Sequence, residues 1–224
     1  QFNWTYDNVP PTIAITSTTS GVTDGSITSD ASLALTFTSS KATTDFIATD
    51  ISVTNGSISN FSGSGTTYTA TFTPTAAGAT TIDVAGSKFT DAIGNNNSPA
   101  PQFNWTYDNV SPTMTITSTT SGVTDGSTTN DASLALIFTS SEATTDFIAS
   151  DITVSGGTLS NFIATSSTVY TATFAPSAAA GETVATTIDV AASKFTDTAG
   201  NNNLAATQFN WTYDNVPPTI AITS

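Results

Sequence analysis

The sequence predicts an all-β protein built from two tandem antiparallel β-sandwiches, each of about seven strands. Three observations support this prediction. Long segments recur roughly 100 residues apart, apolar residues alternate with polar ones in most segments, and turn-forming residues separate those segments. Such a period exceeds the ~20–50 residues of solenoid repeats and matches the size of a small domain. Alternation with a period of two is the pattern of half-buried strands.

The boundaries of the repeats follow from one segment that occurs three times. QFNWTYDNVPPTIAITS occupies residues 1–17 and 208–224, and the near-copy QFNWTYDNVSPTMTITS occupies residues 102–118. The Asn-Val-Pro-Pro sequence favours a turn, so the residues before it end one repeat and those after it begin the next. The predicted divisions are the last strand of a preceding repeat at 1–8, sandwiches at 9–108 and 109–214, and the first strand of a following repeat at 215–224. On this interpretation the chain is part of a longer array.

Each predicted strand of the first repeat has an apolar face and a polar face. The residues expected to point inward are, in chain order, Ile13, Ile15, Ala31, Leu33, Leu35, Phe37, Ile51, Val53, Ile58, Phe61, Tyr68, Ala70, Phe72, Ile82, Val84, Phe103, Trp105 and Tyr107. Threonine, itself a good strand former, fills many outward positions. Asp24-Gly25 and Asn55-Gly56 predict turns between strands. No segment has a convincing helical stripe, although a short turn is expected at 41–46.

The composition excludes several kinds of site and partner. The chain has no cysteine and no histidine, its only basic residues are Lys41, Lys88 and Lys194, and its net charge is −14. Disulfides and thiolate metal sites are therefore excluded. No nucleic-acid partner is expected, because phosphate binding depends on Lys and Arg. No apolar run approaches the ~18 residues that span a bilayer, so direct membrane insertion is not expected, and no signal peptide is visible.

Three features together resemble a known family. These are the series of short strands, the loops FTDAIGNNN and FTDTAGNNN, and the QFNWTYDN…PPTI segment that joins one repeat to the next. They resemble tandem bacterial Ig-like (Big-type) domains of large cell-surface adhesins and extracellular stalk or filament proteins. The resemblance implies Ig-like sandwiches, an extracellular location on the cell surface, and neighbouring repeats of the same chain as partners.

On an Ig-like topology, aspartates from two loops and from the incoming linker would meet at the N-terminal end of each repeat. The residues concerned are Asp7, Asn8, Asp45 and Asp91 for the first repeat, and Asp108, Asn109, Asp146 and Asp197 for the second. Clustered carboxylate and amide oxygens suit Ca²⁺, which takes ~6–8 oxygen ligands. The sequence therefore allows a calcium site at the repeat junctions, although no EF-hand or nonapeptide calcium motif is present. The alternative is that these aspartates only cap turns through local hydrogen bonds.

Two surface patterns allow a binding function. Phe103, Trp105 and Tyr107 share one face of a strand and could stack on a sugar ring, but such a strand more often closes a core. Threonine runs such as 67–73 could match an ice lattice, but sandwich sheets twist by ~20–25° per strand, which spoils a flat match. We expect a core strand in the first case and a solvent-facing strand in the second.

No enzymatic activity is predicted. Without His or Cys there is no ordinary triad or thiol nucleophile, and every aspartate pattern occurs once per repeat. A Lys–Asn crosslink at Lys88 and Lys194 is conceivable, but isolated lysines on sandwiches are usually surface charges. The function expected is a non-catalytic structural repeat of an extracellular adhesin, stalk or filament that gives length and stiffness. The alternatives are that the repeats bind a glycan or another surface ligand, or assemble laterally into a multi-chain filament.

Overall fold

The computed structural model describes residues 1–223 and divides into two units, Gln1–Val110 and Ser111–Ser224. Both units are two-sheet β-sandwiches, which confirms the predicted fold class. The described residues contain no helix that is long and apolar enough to cross a membrane.

Unit 1 contains seven strands and one 3-10 turn at Ala48–Asp50. The strands are β1 (Ile13–Ser17), β2 (Ser26–Thr28), β3 (Leu33–Thr43), β4 (Ile51–Thr54), β5 (Gly56–Pro74), β6 (Gly78–Val84) and β7 (Phe103–Tyr107). One sheet has the order β1-β3-β5 and the other β2-β7-β6-β4. β5 doubles back near Gly63, where an added Cβ would lie 2.4 Å from the carbonyl oxygen of Thr67.

The described part of unit 2, residues 111–223, contains eight strands and a 3-10 turn at Ala149–Asp151. The strands are β8 (Met114–Ser118), β9 (Ser127–Thr129), β10 (Leu134–Ser140), β11 (Ile152–Ser155), β12 (Gly157–Ala164), β13 (Val169–Pro176), β14 (Thr183–Val190) and β15 (Phe209–Asp214). The sheets have the orders β12-β13-β10-β8 and β11-β14-β15-β9. The extra strand arises because the hairpin that corresponds to β5 is divided here into β12 and β13.

The pairing is antiparallel except at one place in each unit. β2 runs parallel to β7, with Ser26 opposite Trp105, and β9 runs parallel to β15, with Ser127 opposite Trp211. The sequence predicted antiparallel sheets throughout. A three-residue strand has too few alternating positions to reveal its partner, and the chain between β1 and β2 carries it to the other sheet. The turn expected at 41–46 begins later in the sequence than predicted, because β3 continues to Thr43.

The core of each unit lies between its two sheets and is rich in aromatic rings. The buried apolar residues of unit 1 include Leu33, Phe37, Phe72, Ile82 and Trp105, and their counterparts fill unit 2. Burying such side chains contributes about 1.5–3 kcal/mol each, which is the main stabilising contribution in a chain without disulfides.

The two terminal segments carry no strand among the described residues. Residues 1–12 and 215–223 lie outside the sheets, and Trp4 and Ile222 are 75% and 93% exposed. A strand needs a neighbouring strand for its backbone hydrogen bonds, and these segments have none here. Their assignment to neighbouring repeats stays a prediction.

Candidate functional site

The Lys41 side chain, near the end of β3, joins two separate segments of unit 1. Its ammonium group donates to Asp7 Oδ2 at 2.7 Å, to Asp91 Oδ2 at 3.0 Å and to the carbonyl oxygen of Val9. We call Lys41, Asp7, Val9 and Asp91 the lysine clasp. Asn95 Nδ2 supports it by donating to the Asp7 carbonyl at 3.2 Å and to Asp91 Oδ2 at 2.9 Å. The clasp anchors residues 7–9 to the sandwich.

The charges of the clasp stabilise one another. The hydrogen bond from Lys41, followed by that from the Val9 amide, lowers the pKa of Asp7. The hydrogen bond to Asp7 raises the pKa of Lys41 against an opposing effect of desolvation. Desolvation acts to raise the pKa of Asp91, but hydrogen bonds from Asn95 and Lys41 outweigh it and hold that pKa well below its usual range. All three groups are therefore charged at neutral pH.

The loop that presents Asp91 is held in place by the buried side chain of Asn97. Its Oδ1 accepts the amides of Lys88 and Phe89 at 2.7 and 3.0 Å, and its Nδ2 donates to the carbonyls of Ala85 and Ser98, both at 2.9 Å. Asn203 makes the equivalent bonds in unit 2. A single amide thus satisfies four backbone groups of a loop that has little regular structure of its own.

Asp45 forms a different contact from the one predicted. Thr43 Oγ1 donates to its Oδ1 at 2.5 Å, and Thr90 donates to its carboxylate from both the backbone amide, at 3.1 Å, and Oγ1, at 2.8 Å. Desolvation opposes these bonds, yet they lower the pKa of Asp45. The Thr43 contact is local, but Thr90 lies 45 residues away in sequence. Asp45 therefore ties the β3–β4 loop to the β6–β7 loop, a contact that the local turn-capping alternative does not describe. Asp146 repeats this arrangement with Thr144 and Thr196.

The predicted calcium ligands are thus brought together only in part within unit 1. Asp7 and Asp91 meet, but the ammonium of Lys41 lies between them, so as arranged these two carboxylates do not fit a calcium ion. Asn8 is exposed. The second repeat differs at the key position, because Glu142 corresponds to Lys41.

In the second set, each aspartate has partners within its own unit. Asp108 Oδ1 accepts the Val110 amide at 3.0 Å, and Asp197 Oδ1 accepts the amides of Ala199 at 2.8 Å and Asn201 at 2.9 Å. Asn109 is exposed. The calcium prediction for these residues stays a prediction.

A second feature occurs in both units, and we call it the terminal seam: the parallel contact of Asp24–Thr28 with Asn104–Asp108. The Gly25 amide donates to the Asn104 carbonyl at 2.8 Å, and the Asp108 amide donates to the Thr28 carbonyl at 3.1 Å. Asp24 Oδ1 accepts the Asn104 amide at 2.7 Å, and Trp105 Nε1 donates to Thr28 Oγ1 at 3.1 Å. In unit 2 the corresponding bonds join Gly126, Asp125 and Thr129 to Asn210 and Trp211.

The aromatic strand closes the core, as expected. Phe103 and Trp105 are 3% and 1% exposed, and Phe209 and Trp211 have the same values. These rings are not available for stacking on a sugar in the folded units. Lys88 and Lys194 are exposed, which does not match the desolvated environment that makes a lysine nucleophilic.

Sequence reasoning missed the lysine clasp and the asparagine that holds the loop. It treated lysines as isolated surface charges, yet Lys41 is the lysine that forms ion pairs in the described part of the chain. A signal was present in the exchange of Lys41 for Glu142, because a reversal of charge within nearly identical repeats marks a position with a changed partner.

Comparison with known proteins agrees with the fold. Residues 7–107 and 108–213 each match the family model of the bacterial Ig-like domain. No curated protein sequence matches the chain.

Three solved structures illustrate the structural similarity. InvD of Yersinia pseudotuberculosis is 16% identical over 93% of this chain and 58% of its own, with a TM-score of 0.39. Invasin, described as a bacterial integrin-binding protein, is 14% identical over 79% of this chain and 36% of its own, with a TM-score of 0.42. The C-terminal domain of BspA from Streptococcus agalactiae is 10% identical over 90% of this chain and 99% of its own, with a TM-score of 0.38.

The chain therefore spans less than two thirds of the InvD and invasin structures. The family model, in contrast, accounts for nearly the whole sequence from residue 7 to residue 213. The chain belongs to the family of bacterial Ig-like domains, of which it contains two tandem copies.

Proposed function

We propose that the chain is a non-catalytic structural part of an extracellular adhesin, stalk or filament, in which tandem sandwiches provide length and stiffness. The observation that carries this proposal is the terminal seam. It is built from the same residue types in both units, as expected of a task that each repeat performs once.

The geometry of the seam suits a chain under tension. β2 lies near the start of its unit and β7 lies at the end, and the two strands run parallel. Tension on the two ends of the unit pulls these strands in opposite directions along their length. The hydrogen bonds between them are then loaded together in shear, whereas a hairpin pulled at its open end breaks one bond at a time.

The lysine clasp supports stiffness where the chain enters unit 1. It fixes residues 7–9 on the sandwich, and Pro10 and Pro11 follow directly, with restricted backbone torsions. A segment anchored in this way bends less than a free linker of the same length.

The proposed location outside the cell rests on the family resemblance, since tandem Ig-like domains of this type occur in large surface proteins. Neighbouring repeats of the same chain are the proposed partners. The excess of 17 acidic residues over 3 basic ones suits a solvated surface protein.

Single-molecule stretching of the 224-residue chain tests the mechanical role. We expect two separate unfolding events, each releasing roughly 30 nm of chain, because about 100 residues extend at ~3.3–3.6 Å per residue. Asp24→Ala with Thr28→Val removes the three side-chain bonds that Asn104 and Trp105 donate across the first seam, and Asp125→Ala with Thr129→Val does the same for the second. Each pair should lower the force of one event.

The four substitutions combined should lower both forces. Circular dichroism of the same variants provides the control that the sandwiches are still folded. The proposal fails if the unaltered chain extends without resolvable unfolding events, or if folded variants unfold at unchanged forces.

A further inference from the structure

One row of outward-facing residues differs in kind between the two units. In unit 1 the row across the β1-β3-β5 sheet contains Thr16, Thr36 and Thr69, and Ser62 Oγ lies 3.1 Å from Thr69 Oγ1. All four side chains carry a hydroxyl group. This row is polar, as expected of a strand face that contacts water.

The corresponding row of unit 2 contains two isoleucines. Ile137 pairs with Thr117 on one side and with Thr171 on the other, and Thr171 pairs in turn with Ile163. Ile137 thus replaces Thr36, and Ile163 replaces Ser62. A third exchange on the same face replaces Thr67 by Val169. We call this surface of unit 2 the isoleucine face.

These side chains lie on the outer side of the sheet rather than in the core. Ile163 is 58% exposed, and Ile137 is half-buried on the outer side of β10, where its neighbours Leu136 and Phe138 point inward. Both isoleucines help to line a shallow groove of about 300 Å³, together with Ala135, Asn161 and Thr173 among others. A protruding apolar side chain and an adjacent groove on one surface allow two identical surfaces to interlock.

The isoleucine face also carries no charge, although the chain as a whole has a net charge of −14. None of the four strands β8, β10, β12 and β13 contains Asp, Glu or Lys. A basic partner would gain more electrostatic attraction from the acidic loops than from this uncharged surface. A second copy of the chain is repelled by those loops, and it can approach most closely where carboxylates are missing.

We propose that the isoleucine face is a self-association surface, through which two copies of the chain pack unit 2 against unit 2. The contact is isologous, so that Ile163 of each copy enters the groove of the other. This places the lateral-assembly alternative on one surface of one repeat, and it does not depend on the mechanical role of the terminal seam.

Sedimentation velocity of the full chain, from about 10 µM to 1 mM, tests the proposal. We expect reversible dimers whose population rises with added salt, because salt screens the repulsion between acidic chains while apolar burial is retained. Ile137→Thr combined with Ile163→Ser introduces the residues of unit 1 and should weaken association at least tenfold. Unit 1 folds with Thr36 and Ser62 at these positions, so the variant should remain folded.

Ile27→Thr is the matched control, because Ile27 is 44% exposed on the other sheet of unit 1 and its counterpart is Thr128. This change should leave association unaltered. Introducing Thr36→Ile and Ser62→Ile into the weakened variant should restore association. A chain that stays monomeric at all concentrations would overturn the proposal and would leave a ligand or another protein as the partner of the isoleucine face. Dimers that survive the double substitution would overturn it as well.

Discussion

Trp105 of unit 1 is 1% exposed and its ring centroid lies 6.0 Å from that of Phe72, while Trp211 of unit 2 is 1% exposed and lies 6.2 Å from Phe174. The interiors of the two units are thus nearly superimposable in composition and contacts. Their surfaces differ at specific positions, notably Lys41 against Glu142. The comparison teaches that packing restricts the interior, where Met114 in place of Ile13 is an exception, while the other differences discussed above lie on the surface.

The largest expected effect tests whether the two interiors are equivalent. Trp105→Ala and Trp211→Ala should each destabilise their own unit by about 3–5 kcal/mol, since both remove a fully buried ring. Denaturant unfolding measures the loss. Trp4→Ala, at an exposed copy of the same sequence, is the control and should change stability by less than about 0.5 kcal/mol. A loss below about 1 kcal/mol at either buried ring would contradict the equivalence.

The second prediction tests the loop that presents Asp91 in unit 1 and Asp197 in unit 2. Asn97→Ala or Asn203→Ala leaves four backbone groups without their partner and should cost about 1–3 kcal/mol, equally in both units. Thermal unfolding compares these variants with Asn96→Ala, which alters an exposed neighbour. Unequal losses would show that the two loops are held differently.

A smaller effect should distinguish unit 1 alone. The clasp lowers the pKa of Asp7 and Asp91 and raises that of Lys41. Its stabilisation is therefore complete above the ordinary carboxyl pKa of ~3.9 and is lost as pH falls through the lowered values. It is likewise complete below the ordinary lysine pKa of ~10.4 and is lost as pH rises through the raised value.

Carbon-13 NMR titration of the Asp7 carboxyl group measures this directly. We expect its midpoint below ~3.9, with an upward shift in Lys41→Met. The Asp146 carboxyl group, which has no contact with Lys41, serves as the internal control. An identical Asp7 titration in both proteins would show that the clasp does not form in solution.

The smallest expected effect concerns calcium. The sequence-based prediction for Asp108, Asn109, Asp146 and Asp197 applies to the repeat in which lysine is replaced by Glu142. Calcium should raise the melting temperature of the chain slightly, and Glu142→Lys should abolish the increase by supplying a cation from the chain itself. Calorimetry with and without a chelator decides, and an unchanged profile in the original chain contradicts the prediction.

Much of the fold could be predicted from the sequence, because alternation and turn residues act locally. Leu33, Leu35 and Phe37 were assigned correctly to an inward strand face in this way. The assignment of Ala31 to the same face was wrong, because β3 begins only at Leu33 and Ala31 is exposed. The parallel pairing of β2 could not be predicted, since a strand of three residues does not specify its partner strand. The clasp escaped prediction because Lys41 lies 34 and 50 residues from the two carboxylates it contacts. Asn97 resembles an ordinary turn residue until the tertiary fold surrounds it.

The position of β7 has a consequence for how each repeat is made. This strand comes last in its unit, yet it lies between β2 and β6 in the sheet and supplies Trp105 to the core. The first sandwich cannot close until residue 107 has left the ribosome. The closing step of each repeat therefore waits for its last strand, and we expect each repeat to complete its fold as a unit, in the order in which the repeats are synthesised.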